Sequence, residues 1–238
     1  MRKALILVIL ALVAGFGLYR MGFVRFNYPD VGRYPVLGVD VSHHQGPIRW
    51  SELRSSGISF AFIKATEGAD HQDAAFALNW QQAGAAGVAR GAYHFFTFCA
   101  DGSAQADNFI ATVPALGGEL PPVADVEFGG NCKEWPSVEE IREGLSRFLA
   151  KVEQAYGRRP IIYTTCDASR RILGGWFTAY SIWARSLIFE PGESRFRHWL
   201  FWQYADNGRV PGIDRLVDLN VFRGPRAEFE TLLERTGT

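Results

Sequence analysis

The sequence predicts an α/β fold, a closed barrel of eight strands with most of its helices in the first half. Three observations predict it. Short apolar strands alternate with helical stretches, the pattern of βαβ units around a parallel sheet. The strand candidates number eight, which is what a closed barrel needs. Once an apolar N-terminal segment is set aside, about 205 residues remain, a length that one barrel commonly fills as a single domain.

The N-terminus comes first. Met1-Arg2-Lys3 precedes an uncharged run from Ala4 to Tyr19. Two cations before an apolar run are the signature of an export signal. The run is short for a bilayer span, but Arg20 can snorkel and extend it toward Val24. Val13-Ala14-Gly15 is a poor cleavage site, and no Cys follows to carry a lipid. Residues 1–24 are therefore expected to be a signal anchor in the membrane, or else a cleaved signal peptide. Residues 25–35 read as a connector, and 36–238 as the barrel. An export signal places the barrel outside the cytoplasm, in the periplasm or secreted.

The strands are expected at Val36–Val41, Ile58–Lys64, Arg90–Phe96, Pro122–Glu127, Pro160–Thr165, Ser181–Arg185, Leu200–Tyr204 and Val217–Phe222. The clearest helix is Val138–Tyr156. Val138, Ile141, Leu145, Phe148, Leu149, Val152 and Tyr156 recur at three- and four-residue steps and make one apolar stripe. Ser137 and Glu140 form a capping box at its start, and Gly157 then Pro160 end it. Weaker helices are Trp50–Ser56, Ala74–Ala86, Ala104–Val113 and Pro225–Arg235. Beyond Pro160 the connections are short or irregular. The second half should therefore hold few helices and include antiparallel pairing.

Composition narrows the function. The chain is 47% apolar and 21% charged, which fits a globular enzyme. Lys plus Arg equals Asp plus Glu at 25 each, so there is no basic stripe for nucleic acid. Asp125-Val-Glu127 closes a strand and is followed by a glycine pair. Side chains at i and i+2 share a face, so the two carboxylates stand side by side at the C-terminal end, where parallel barrels carry their sites. Two acids so close raise one pKa, giving a proton donor beside an acceptor. Glycosidic cleavage needs such a pair. Asp40, flanked by Val39 and Val41, ends the first strand. Asp218, in Val217-Asp218-Leu-Asn, lies on the last. First and last strands are neighbours in a closed barrel, so the four acids converge on one mouth.

The alternatives are weaker. His43, His44 and His94 match no zinc spacing, and no cysteine pair has metal-site spacing, so no metal and no cofactor are expected. Ser42 and Ser59 lack a nucleophile elbow. Gly84, Gly87 and Gly91 make no phosphate loop.

Seven segments in order resemble glycoside hydrolase family 25, the Chalaropsis-type lysozymes. They are Gly38-Val-Asp40-Val-Ser-His-His-Gln-Gly, Phe62-Ile-Lys64-Ala-Thr-Glu67-Gly, Gly91-Ala-Tyr93-His94-Phe95, Asp125-Val-Glu127, Pro160-Ile-Ile-Tyr163, Trp202-Gln-Tyr204 and Val217-Asp218-Leu-Asn. The resemblance implies an irregular, flattened TIM-like barrel. It implies an N-acetylmuramidase that hydrolyses the β-1,4 bond between N-acetylmuramic acid and N-acetylglucosamine in peptidoglycan. It gives Glu127 the role of general acid and Asp125 a supporting role toward the substrate's acetamido group or a water. Asp40 and Asp218 match the family's other two site acids, and Lys64, Tyr93, Phe95 and Tyr163 match its sugar groove. Trp183 and Gln203 are expected in the groove as well. With this layout, Cys99 and Cys132 follow neighbouring strands, and a disulfide between them is expected at the mouth. Cys166 would be the odd cysteine, buried. The expected protein is a monomer whose partner is the peptidoglycan strand. Competing readings are a non-catalytic peptidoglycan-binding protein on the same barrel, and a glycosidase of another polysaccharide.

Overall fold

The computed structural model describes residues 2–114, 117–130 and 132–234. The side chains of Arg2, Lys3 and Ala4, which open the export signature, and Arg235, which ends the expected last helix, lie outside the described residues. Helix α1 spans Arg2–Arg20, so the expected N-terminal helix is present. Among the described residues no helix is long and apolar enough to cross a membrane, so the expected anchor finds no support there.

In chain order, the next elements are β1 (Leu37–Val41), α2 (Trp50–Ser55), β2 (Ile58–Glu67), β3 (His71–Gln72) and α3 (Phe76–Ala85). Then come β4 (Ala89–Phe95), α4 (Gly102–Thr112), β5 (Val123–Val126), α5 (Val138–Tyr156) and β6 (Ile161–Thr165). The chain ends with α6 (Cys166–Ala168), β7 (Ile182–Arg185), β8 (Trp199–Gly208), β9 (Val217–Phe222) and α7 (Arg226–Glu234). The sheet order is β1-β9-β8-β7-β6-β5-β4-β2-β3, and β1 also pairs with β2. That last pairing closes an eight-stranded barrel, with the two-residue β3 as an addition on β2. Pairing is parallel from β1 through β2 and β4 to β8, and antiparallel where β9 meets β8 and β1. β8 runs four residues past its expected end because β9 pairs along the extension as far as Gly208.

Period-two alternation builds two cores. Inward residues Phe60, Phe62, Val123, Ile161, Trp183, Phe201 and Phe222 fill the barrel, and Phe229 of α7 plugs its lower end. Gly38 is small because the Phe60 ring occupies the space where its Cβ would stand, 2.4 Å away. Outward residues Val39, Val41, Ala61, Ile63, Ala124, Val126, Ile162 and Ala184 pack under the helices. α5 supplies Ile141, Leu145, Phe148, Leu149 and Val152 to that layer, as its stripe predicts. Its capping box is formed, and Gly157 turns left-handed at φ 62° to stop it.

Among the described residues, no long helix follows β7 or β8 before β9 to cover that flank of the barrel. The connector takes that place. Tyr34 is buried against Trp199 and Trp202, ring centroids 6.1 and 6.0 Å apart, and its hydroxyl donates to Glu190 at 2.7 Å. Asn27 donates to the carbonyls of Leu187 and Tyr204 at 2.8 and 2.9 Å.

Candidate active site

Above the aromatic floor, the same alternation changes character. One step up from Gly38, Phe62, Gly91, Val123, Ile161, Trp183 and Phe201 come Asp40, Lys64, Tyr93, Asp125, Tyr163, Arg185 and Gln203, and β9 contributes Asn220 and Asp218. Inward side chains at the C-terminal ends of the parallel strands thus make a polar layer at one mouth. Register brings them together: Asp40 faces Asp218, Asp125 lies beside Phe95 and Tyr163, and Gln203 beside Arg185 and Asn220.

Hydrogen bonds fix the layer. The Gln203 amide donates to Oδ2 of Asp40 at 3.0 Å and to Oδ2 of Asp218 at 3.1 Å, and its Oε1 accepts from the Tyr163 hydroxyl at 2.9 Å. Asn220 donates to the same Asp40 oxygen at 2.7 Å and accepts from the Trp183 indole N–H at 2.7 Å. One carboxylate therefore ties three strands, and buried polar groups satisfied this way lock the geometry. Asp125 differs. It is buried, and its Oδ1 has no hydrogen-bond partner among the described residues. Glu127, just past the end of β5, is half-buried at the rim.

The electrostatics follow from burial. Burial pushes the Asp125 carboxyl well above the usual range, and Glu127 and Asp40 push it further while Lys64 and Arg185 oppose. Burial also raises Glu127, against the pull of Arg185. Asp218 rises to about 9, through burial first and then the charge of Asp40. Asp40 is raised by burial and pulled back by its bonds to Asn220 and Gln203. Two cations stand against these acids. Lys64 is held by Glu67 at 2.7 Å, with its ammonium 5.1 Å from the Phe95 ring centroid, and Arg185 reaches Asp206 at 3.1 Å. The site can therefore hold protons on carboxyl groups at neutral pH, as a general acid requires.

Stability should show the same protons. A carboxyl with a folded pKa above its unfolded one stabilises the fold at low pH and loses that contribution as pH rises through the folded value. His94 works in the other direction only below its unfolded pKa near 6.5, since burial lowers it to about 4. Between pH 7 and 9 the acids dominate, and each retained proton is worth about 1.4 kcal/mol per pH unit. Thermal unfolding should show Tm falling by about 6–11 °C from pH 7 to 9 for each retained proton. Asp218→Asn should flatten that slope, and an unchanged slope in the variant would remove Asp218 from the proton-holding set.

The structure brings Asp40, Asp125, Glu127, Asp218, Lys64, Tyr93, Phe95, Tyr163 and Gln203 to one mouth. Trp183 is displaced from its expected place. It is 2% exposed, and its ring stacks on Phe62 at 4.4 Å, so it forms the floor under the polar layer and presents no open face to a sugar. Gln203, 1% exposed, positions the acids from beneath. Cys99 and Cys132 form a disulfide between the loops after β4 and β5. Cys166 is exposed, not buried, because it starts α6 at the rim of β6. His94 points outward, bonded to Thr66 at 2.7 Å and Gln105 at 3.1 Å and stacked on Phe148, so it is a polar core residue. Among the described residues no cluster of His, Cys, Asp or Glu is arranged to hold a metal. Arg185 is a site residue that sequence reasoning missed, although its i+2 relation to Trp183 marked it as inward-facing.

Comparison with known proteins agrees with the barrel fold. The model for glycosyl hydrolases family 25 matches residues 39–213. Lysozyme M1 from Streptomyces globisporus is 37% identical over 217 residues, covering 84% of this chain and 72% of that protein. An uncharacterized protein, YegX, from Escherichia coli K12 is 38% identical over 206 residues, covering 84% and 74%. Among solved structures, a family 25 glycosyl hydrolase from Bacillus anthracis superposes with a TM-score of 0.82 at 39% identity, covering 91% of this chain and all of that one. A bacterial lysozyme from Streptomyces coelicolor gives 0.77 at 37% identity, covering 84% and 98%. With the acids gathered at the C-terminal mouth of a barrel that the family model matches over most of its length, the chain belongs to glycosyl hydrolases family 25.

Proposed function

We propose that the protein is a lysozyme that hydrolyses the β-1,4 bond between N-acetylmuramic acid and N-acetylglucosamine in peptidoglycan. The observation that carries this reading is the pair at the end of β5: a deeply buried Asp125 with an unengaged oxygen, beside a half-buried Glu127 whose pKa is raised. Glu127, at the rim, donates its proton to the glycosidic oxygen as the bond to the sugar lengthens. Positive charge then develops on the sugar ring, and the carboxylates around the mouth stabilise it. Asp125 Oδ1 takes the substrate's acetamido N–H or orients a water. Asp40, held by Gln203 and Asn220, adds the negative charge that helps keep the proton on Glu127, while Asp218, held by Gln203, retains a proton of its own. Tyr93, Phe95 and Tyr163 wall the groove, and Lys64 and Arg185 limit how far the acids rise.

The substrate lies outside the cytoplasm, and so, in this reading, does the protein. The Cys99–Cys132 disulfide supports that placement, because such bonds persist in oxidising compartments. The test is digestion of purified peptidoglycan with mass analysis of the released ends. Reducing-end N-acetylmuramic acid is the expected product. Reducing-end N-acetylglucosamine would overturn the bond assignment, and no release would overturn the activity.

A further inference from the structure

A cavity of about 380 Å³ opens on the flank of the barrel between β6 and β7, and none of the acids of the mouth lines it. That volume is ordinary for a ligand pocket. One wall is a single turn of π-helix, Ser169–Leu173, closed by the Gly174 N–H on the Ser169 carbonyl at 2.8 Å. Such turns are rare and are frequent at functional sites. Arg142 of α5 holds this one by donating to the carbonyls of Ile172 at 2.7 Å and Arg171 at 3.2 Å. Next to it, Phe177 sits at φ 58°, in the left-handed region that aromatic residues rarely adopt. The opposite wall carries Arg195, whose carbonyl accepts from Ser169 Oγ at 2.9 Å, and Arg197.

Charge and surface together define the ligand. The acids nearest in sequence are already engaged: Asp167 with Arg170 and Arg171, and Glu193 with Arg223. Arg195 and Arg197 make no ion pair among the described residues, so two exposed guanidiniums flank the cavity without a counter-charge. Phe177 and the 63%-exposed indole of Trp176 line the same cavity. Guanidiniums bind carboxylates in bidentate fashion, and the rings offer apolar faces to small aliphatic side chains. The π turn also joins the cavity to the mouth. Arg170 lines the cavity, while the next residue, Arg171, lies over the ring of Phe128 at 5.5 Å, and Phe128 follows Glu127.

We propose that this cavity binds the short acidic peptide stem carried by the glycan, pairing its carboxylates with Arg195 and Arg197. The proposal rests on the reading of the mouth as a peptidoglycan hydrolase. It makes the cavity a specificity element that senses whether a strand still bears its peptides.

The test compares the wild type with the Arg195→Gln/Arg197→Gln double variant on intact peptidoglycan and on glycan stripped of its peptides by an amidase. KM of the variant should rise about 10-fold on the intact polymer and stay unchanged on the stripped one, with kcat unchanged on both. An equal change on both substrates, or none on either, overturns the proposal. A second arm is independent of turnover. A synthetic acidic stem peptide is titrated into Glu127→Gln protein, with and without the double change, and followed by calorimetry. Binding that the double change abolishes supports the cavity as the site. Binding to neither protein, or equally to both, overturns it. A wild type that cuts neither glycan defeats the reading of the mouth and leaves the titration to decide the cavity.

Discussion

Glu127→Gln should lower peptidoglycan turnover about 10³-fold, within the range a positioned general acid contributes. The amide is nearly isosteric with the carboxyl and can still hydrogen-bond, but it has no proton to give to the leaving oxygen. Because Glu127 is half-buried and stands past the end of β5, the change disturbs no core contact. Folding and glycan affinity should stay close to wild type, so the loss belongs to kcat and not to KM. The wild-type profile carries a second signature. Burial raises the pKa of Glu127, so the acid keeps its proton past the usual carboxyl range, and the rate should fall only when pH rises through the shifted value. In the variant, any residual rate should lack that alkaline limb. Steady-state kinetics across pH on soluble glycan fragments would check both. Near-wild-type kcat in the variant would remove Glu127 from the role and leave Asp125 as the acid to test.

Particular residues show how much of this was legible beforehand. Asp40, Asp125 and Asp218 were readable because each interrupts a β-branched apolar strand, and an acid in such company needs a partner or a task. The α5 helix was readable to its ends, since the stripe, the Ser137–Glu140 box and Gly157 all gave the same answer. Depth was harder to read. Alternation says that Trp183 and Arg185 face inward, but not that Trp183 lies one layer below the polar ring while Arg185 lies within it. The tilt and register of the closed barrel set that depth, and pairing between distant strands sets the register. The π turn left no periodic trace because one added residue within a short irregular stretch has no period. Cys166 was expected to be buried as the cysteine left over from the Cys99–Cys132 pair, and the strand end that carries it to the rim became visible only in the fold.

The same burial that makes the site reactive also weighs on the fold, and Asp125 separates the two effects. Asp125→Asn should lower kcat about 10²-fold and raise Tm at neutral pH. The loss follows from Oδ1, the buried oxygen without a donor among the described residues: an amide cannot reproduce a carboxylate that accepts from the substrate or orients a water. The gain has a separate cause. Burial and the charges of Glu127 and Asp40 all act against an ionised Asp125, and a neutral side chain of the same shape is free of that penalty, worth about 1–3 kcal/mol for a buried unsatisfied polar group. For a chain of this length that is a rise of a few degrees. There is also a third readout. Burial and the charge of Asp40 raise Glu127, and Asp125 is not among the causes, so the alkaline limb of its rate profile should stay at its wild-type pH. Calorimetry and pH-dependent kinetics on the one variant measure all three. A variant that is slower but no more stable would mean that the fold carries no penalty for the Asp125 carboxyl, and that Asp125 serves the reaction without weighing on stability. A variant that is more stable and equally fast would remove Asp125 from the chemistry and leave it as a burden on the fold without a function.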